Sequence, residues 1–454
     1  MRFIVLGFCI LSFLSVAHAN YTPEKNGSPL TLSETSSNRN WGSLISGVVS
    51  DENGKWAPKA SLILDGKEYF TDERGRFEIA ANGTSSPLLV KFPGFRKMSL
   101  QPRSGSLDVR LPYQPINGIY VPWGELANDA ALQHVLSLLE TTELNAVVLD
   151  VKGDGGELHF NLEQDSQGRI IEAADPKLKK AVDFLHQHGI YAIARVVSFK
   201  DTRYSRQHAD LGLKCANNCG FTNPHDLWAD KKGNTYLNPY SEAAGEYIVN
   251  IAKIAALSGF DEVQFDYVRF PTDGDLKSVA WSKPYNAANR TDAIAAFLSR
   301  ARSQLGPLGV FVAADIFGIA AYEKNDISAE GQNIEKISPL LDYICPMVYP
   351  SGFAMNTSHL GNPVDHPLEI VEDSIGRIRV RASDFSVIRP WLQSFRDYAY
   401  NHRLYGAEEI CAQIEGSDKA GGEGFLLWNA AGHYTDAGLK AKNSTGPQCS
   451  NPTR

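Results

Sequence analysis

A carboxylate set inside an otherwise apolar strand constrains this chain most. Residues 259–271 read Gly-Phe-Asp-Glu-Val-Gln-Phe-Asp-Tyr-Val-Arg-Phe-Pro. Period-two alternation puts Val263, Phe265 and Tyr267 on one face and Gln264, Asp266 and Val268 on the other. The apolar face needs a helical layer to cover it, so the polar face lines the inside of a barrel, with Asp266 near the mouth. Burying an unpaired charge is costly, which marks Asp266 as a functional position.

Beyond Pro115, strand-like and helix-like segments alternate. The strands predicted are 118–123, 146–152, 191–199, 262–270, 310–318, 343–349, 387–395 and 424–429. Helical periodicity covers 129–141, 176–188, 241–258, 292–304, 367–381 and 407–415. Eight such β/α units predict an α/β fold, a (β/α)8 TIM barrel over 115–440. An open doubly wound sheet would show a Gly-rich phosphate turn after its first strand, and Tyr120-Val121-Pro122-Trp123 is not one.

Ahead of the barrel, 42–114 holds short alternating runs at 44–49, 60–64, 76–80, 88–92 and 106–111, separated by turns such as Glu52-Asn53-Gly54. They predict an all-β, immunoglobulin-like sandwich. Residues 1–19 read as a signal peptide ending Ala17-His18-Ala19, 20–41 as a flexible leader and 441–454 as a tail. The chain is thus expected to be exported, periplasmic or extracellular, with no membrane span. A formal net charge of −8 argues against nucleic acid as a partner.

Export permits disulfides, and Cys215 with Cys219 would close a small ring in a loop; Cys411 could join Cys449, leaving Cys345 buried in a strand. Zinc held by Cys215, Cys219, His208 and His225 is the competing use. No cofactor and no metal is the leading expectation.

The strand ends gather chemistry: Asp150 and Lys152, Arg195 and Ser198, Asp266 and Arg269, Asp315, Tyr349, Trp391 and Gln393, Trp428 and Asn429. Small Ala313 on the face of Asp315 leaves room beneath it. Two inward carboxylates on adjacent strands are what glycosidic bond cleavage requires, one as an acid, the other to attack or to activate water. Asp266 and Asp315 are therefore the catalytic candidates. Asp150, Lys152, Arg195, Arg269, Tyr349, Gln393, Trp123 and Trp428 are candidates for binding a carbohydrate. Bland readings stand beside these: Asp266 as an ion-pair partner of Arg269 or Arg195, Asp150 with Lys152 as a salt bridge on one inward face, and Asp154-Gly155-Gly156-Glu157 as a turn.

Two resemblances add to this. Gly47-Val48-Val49, Asn53-Gly54, Ala60-Ser61-Leu62, Thr71-Asp72, Gly75-Arg76-Phe77 and Phe92-Pro93-Gly94-Phe95 resemble the carboxypeptidase regulatory-like, transthyretin-like domain, which implies a seven-stranded accessory sandwich. Val148-Leu149-Asp150-Val151-Lys152, 263–271, Ala314-Asp315-Ile316-Phe317-Gly318 and Pro346-Met347-Val348-Tyr349-Pro350 are similar to a glycosyl hydrolase domain family of inferred activity. That family is grouped with barrel glycosidases, whose α-amylase and α-galactosidase lineages place a nucleophilic Asp at the end of strand four. The resemblance implies that Asp266 is the nucleophile; Asp315 stands where α-amylase-like enzymes carry Glu. The expectation is an exported glycoside hydrolase acting on a poly- or oligosaccharide. The alternatives are a non-catalytic glycan-binding barrel and a metal-assisted hydrolase using Asp150, Asp154 and a His.

Overall fold

Eight parallel strands close on themselves around a filled interior. In this computed structural model they are β1 (Asn117–Tyr120), β2 (Ala146–Lys152), β3 (Tyr191–Val197), β4 (Glu262–Asp266), β5 (Phe311–Phe317), β6 (Tyr343–Met347), β7 (Val387–Ile388, then Trp391–Gln393) and β8 (Phe425–Trp428). Each pairs with its sequence neighbour, and β8 returns to β1 through Leu426 opposite Gly118, so the sheet has no edge. The structure describes residues 30–31, 44–81, 84–102, 105–216 and 226–445. The expected signal peptide, most of the leader and most of the tail lie outside the described residues. Within the leader, Leu30–Thr31 pairs in parallel with Met98 and Ser99.

The alternation read from sequence explains the two layers. Val147, Leu149, Ala192, Ala194, Val263, Phe265, Val312 and Ala314 face outward into a core shared with the helices, which run Asp129–Thr141, Pro176–Gln187, Glu242–Leu257, Ala287–Leu305, Pro367–Arg379 and Ala407–Lys419. Val148, Ile193, Phe311, Ala313, Tyr343, Cys345 and Leu426 fill the barrel. Gly118 faces inward too, where a Cβ would come within 2.8 Å of Leu426. Low in the barrel Arg389 donates to Glu262 at 2.5 and 3.0 Å, both side chains fully buried, and the Tyr191 hydroxyl adds a third bond to Glu262 at 3.1 Å.

The N-terminal region forms two sheets, one of five strands and one of three. Besides the expected runs, Lys67–Phe70 and Met98–Leu100 are strands. Both were missed because they are short and carry charged or half-exposed residues. These sheets cover the lower mouth of the barrel. Lys91 donates to the Val310 carbonyl at 2.7 Å and pairs with Asp342 at 3.3 Å; Lys97 pairs with Asp261 and Arg302 with Glu68; the Tyr343 hydroxyl accepts from the Gly94 amide at 3.0 Å. Val310, Asp261, Asp342 and Tyr343 sit at the N-terminal ends of strands and Arg302 at the end of the helix Ala287–Leu305, which leaves the opposite mouth open.

Strand β4 departs from expectation. It ends at Asp266, not at residue 270, because Tyr267 adopts a left-handed backbone with φ 46° and donates its amide to Asp266 Oδ1 at 2.6 Å. The turn reverses the alternation, so Val268 joins the outer core and Tyr267 turns toward the open mouth. Strand β2 has a similar break: its register with β3 shifts between Asp150 and Lys152, so the two do not share the inward face.

Removing the Arg389 guanidinium while leaving Glu262 buried should cost roughly 3–5 kcal/mol. Arg389→Met is therefore expected to lower the chemical-denaturation midpoint sharply, and an unchanged midpoint would mean the pair adds nothing to the barrel.

Candidate functional site

The open mouth narrows into a cavity of about 180 Å3. Its walls are Asp154, Arg195, Asp266, Tyr267, Arg269, Asp315, Phe317, Met347, Tyr349, Trp391 and Trp428. All lie at or just beyond the C-terminal ends of strands β2 to β8.

Arg195 organises one wall. Its guanidinium, 4% exposed, donates to Asp150 Oδ1 at 2.6 Å, to Asp154 Oδ1 at 2.8 Å and to Asp266 Oδ2 from both Nε (2.9 Å) and Nη2 (2.6 Å). One cation thus bridges carboxylates from β2, the loop after β2, and β4. Burial lowers the guanidinium's affinity for its proton, but Asp266, Asp150 and Asp154 together raise it well above the ordinary arginine value. The group stays charged. The other oxygen of Asp150 accepts from the Tyr120 hydroxyl at 2.7 Å, so Asp150 anchors Arg195 and does not face the cavity.

Asp315 is held in an opposite manner. In the ladder between β4 and β5, Phe265 faces Ala314, so Asp266 and Asp315 follow at one height on neighbouring strands. Asp315 is 1% exposed and, among the described residues, has no cation within bonding distance; its partner is the Trp391 indole, which donates to Oδ1 at 2.8 Å. Burial, reinforced by the nearby Asp266, pushes its carboxyl well above the usual range. An indole N–H can only donate, so Oδ1 is the acceptor and Oδ2 is the oxygen left free to carry a proton.

The remaining walls are aromatic or cationic. Trp428 stands 4.5 Å from Tyr120 and 5.5 Å from Trp391, centroid to centroid, with the Arg195 guanidinium 5.2 Å from its ring. Arg269 lies between the rings of Tyr267 (5.0 Å) and Phe317 (4.5 Å). Asp154, within a Gly-rich turn, also meets Lys200 and the Tyr267 hydroxyl. Despite the upward push of desolvation, Arg195 and Lys200 hold its carboxyl below the usual range.

Asp266, Asp315, Arg195, Arg269, Tyr349 and Trp428 therefore converge on one cavity, and four expected residues do not: Asp150, spent on Arg195 and Tyr120, and Lys152, Gln393 and Trp123. Lys152 is fully buried, tied to Asp201 at 2.9 Å and to the Val197 carbonyl at 2.6 Å, because the break in β2 turns it away. Gln393 is also fully buried; its side chain bonds Ser351 and the Phe395 carbonyl, fastening the loops after β6 and β7. Trp123 spends its indole N–H on the Asp150 carbonyl and stacks on His159, with Lys177 over the ring, so it offers no free platform. Asp154, read as part of a turn, belongs to the site as well. Its signal was a carboxylate among glycines directly after a strand end. Tyr267 and Phe317 carried no signal beyond their position.

Cys215 is described, but Cys219, its expected partner, lies outside the described residues, as does His225 of the zinc alternative. Cys345 is buried and free. Among the described residues no group of three His, Cys, Asp or Glu side chains is arranged to hold a metal, and no helix is long and apolar enough to cross a membrane.

Residues 118–434 match the family described as "Putative glycosyl hydrolase domain", and the chain belongs to that family. A hypothetical protein from Ruminiclostridium thermocellum is 31% identical over 43% of this chain and 96% of its own, with a TM-score of 0.35. The PgaB (BpsB) glycoside hydrolase domain from Bordetella bronchiseptica shares the fold at 12% identity, covering 70% of this chain and 95% of its own, with a TM-score of 0.51. A chitinase from Chromobacterium violaceum aligns at 13% identity over 71% of this chain and 96% of its own, with a TM-score of 0.39. No functionally curated protein matches.

Asp315 binds its proton more tightly in the folded than in the unfolded chain. Its contribution to stability is therefore complete at low pH and is lost as pH rises from the ordinary carboxylate range through its raised value. Asp315→Asn should raise the melting temperature at pH 7, with the gain vanishing near pH 3.5. Thermal unfolding at the two values checks it, and a variant less stable at both would remove the buried-acid account.

Proposed function

We propose that this protein is a glycoside hydrolase that cleaves a poly- or oligosaccharide by a retaining, two-carboxylate mechanism, acting outside the cytoplasm as its leader sequence predicts. The observation carrying this reading is the asymmetry of the two neighbours: Asp266 in an ion pair with Arg195, and Asp315 buried beside an indole with its carboxyl well above the usual range. Family membership supports the reaction class.

In this reading Asp315 gives its Oδ2 proton to the glycosidic oxygen as the bond to the anomeric carbon breaks. Asp266 attacks that carbon and forms a glycosyl ester. Asp315, now a carboxylate, takes a proton from water, and the water hydrolyses the ester and restores both groups. Arg195 keeps the nucleophile oriented, while Trp391 keeps the acid's proton on the oxygen facing the cavity. Adjacent strands lie about 4.8 Å apart, which suits the roughly 5–5.5 Å carboxyl spacing of retaining enzymes better than the roughly 6.5–9.5 Å of inverting ones. Trp428, Tyr349 and Phe317 supply apolar surfaces for a sugar ring, and Arg269 a donor for its hydroxyls.

Reducing-end release from bacterial exopolysaccharides and cell-wall glycans tests the function. Wild type should release product and Asp266→Asn none, with the folded structure intact; azide added to Asp266→Gly should return a glycosyl azide of inverted configuration. Turnover retained in Asp266→Asn would take that residue out of the mechanism. Glycan retained by both proteins without product would favour a binding role.

Asp315→Asn should slow hydrolysis of poor leaving groups by ~10²–10⁴-fold and spare activated aryl glycosides. The wild-type rate on natural linkages should fall on the alkaline side as Asp315 loses its proton. Equal losses on both substrate types would contradict its role as the acid.

A further inference from the structure

The loop after β7 carries an aromatic side chain into solvent on a firmly pinned backbone. Tyr398 is 63% exposed and lies nearly parallel to Phe395, with centroids 6.0 Å apart and planes at 11°. Phe395 in turn meets Tyr349 edge-on at 5.4 Å, and Tyr349 lines the cavity. A file of three aromatic rings therefore runs from the catalytic cavity to the surface.

The loop is clamped from beneath. Asp397, 1% exposed, accepts from the Ser351 hydroxyl at 2.7 Å and from the amides of Ala399, Tyr400 and His402 at 2.9–3.0 Å. The Tyr400 hydroxyl donates to the Phe353 carbonyl, fixing the loop to its neighbour after β6. A single exposed tyrosine on a surface means little. One whose backbone is fixed in advance, with one face toward Phe395 and the other open, has lost much of the freedom that binding would otherwise remove. The cavity itself, about 180 Å3, opens at the barrel mouth. A longer substrate must continue out of the mouth, and the aromatic file is a path for it.

We propose that Tyr398 forms an outer sugar subsite, stacking against a pyranose ring of a chain threaded out of the cavity, so that the substrate is an extended glycan and not a disaccharide. The proposal rests on the glycoside hydrolase reading for the contents of the cavity, but its test does not need turnover. Full-length Asp266→Asn is run through native gels containing glycol chitin, xylan, mixed-linkage β-glucan or poly-N-acetylglucosamine, beside the same protein carrying Tyr398→Ala or Tyr398→Phe. Retardation by at least one polymer is expected. Tyr398→Ala should weaken it roughly three- to tenfold, and Tyr398→Phe should preserve it. Oligosaccharides cut from that polymer should bind more tightly with length in the parent and lose this length dependence in Tyr398→Ala.

Equal retardation of the parent and Tyr398→Ala overturns the subsite, as does the absence of retardation by any of the four polymers. The two readings separate cleanly. Turnover by wild type with no effect of Tyr398→Ala on retardation leaves the hydrolase standing without the subsite. Retardation that depends on Tyr398, without turnover by wild type, keeps the subsite and removes the hydrolase.

Discussion

One guanidinium shared among three carboxylates is the interaction on which the site depends. Arg195 gathers Asp150, Asp154 and Asp266 from separate segments of the chain at 2.6–2.9 Å, inside a barrel mouth where each charge alone would be costly. This explains why Asp150 is present without touching the cavity: it helps hold the arginine that holds Asp266. The arrangement also leaves Asp315, one strand away, without a cation of its own. The separation of roles proposed for the two carboxylates follows from where Arg195 sits.

The two ends of the barrel do different work. At the lower end, Glu262 with Arg389 fills the interior, and the N-terminal sheets close the mouth through Lys91, Lys97 and Gly94. With that end sealed, water and ligand enter from the other side, where the strand ends carry the carboxylates. Low in the barrel the one cation Arg389 faces the one carboxylate Glu262, whereas at the top Arg195 meets three carboxylates and Asp315 stands apart from it. That contrast sets the structural pair apart from the residues proposed for chemistry.

Much of this was legible in the sequence, for identifiable reasons. Alternation along a strand is a local property, so the eight strands, the inward direction of Asp266 and Asp315, and the burial of Cys345 could be read directly. Readings failed where the backbone broke the alternation. The left-handed turn at Tyr267 turned that side chain into the cavity, and the register shift after Asp150 sent Lys152 out of it. Gln393 and Trp123 were misread because their partners, Ser351 and the Asp150 carbonyl, come from distant segments that no local pattern announces. The role of Trp391 as the hydrogen-bond donor to Asp315 was invisible for the same reason, although its place on the rim was not.

The central claim is that Asp315 remains a neutral acid beside an ion-paired Asp266. Carboxyl carbon NMR of isotopically labelled protein, with Asp315→Asn to assign the resonance, measures this without any knowledge of the substrate. The account predicts that the Asp315 signal stays in its protonated form at pH 7 and titrates lower once Asp266→Asn removes the neighbouring charge. A signal that titrates near the ordinary value of about 3.9 and ignores Asp266 would contradict it.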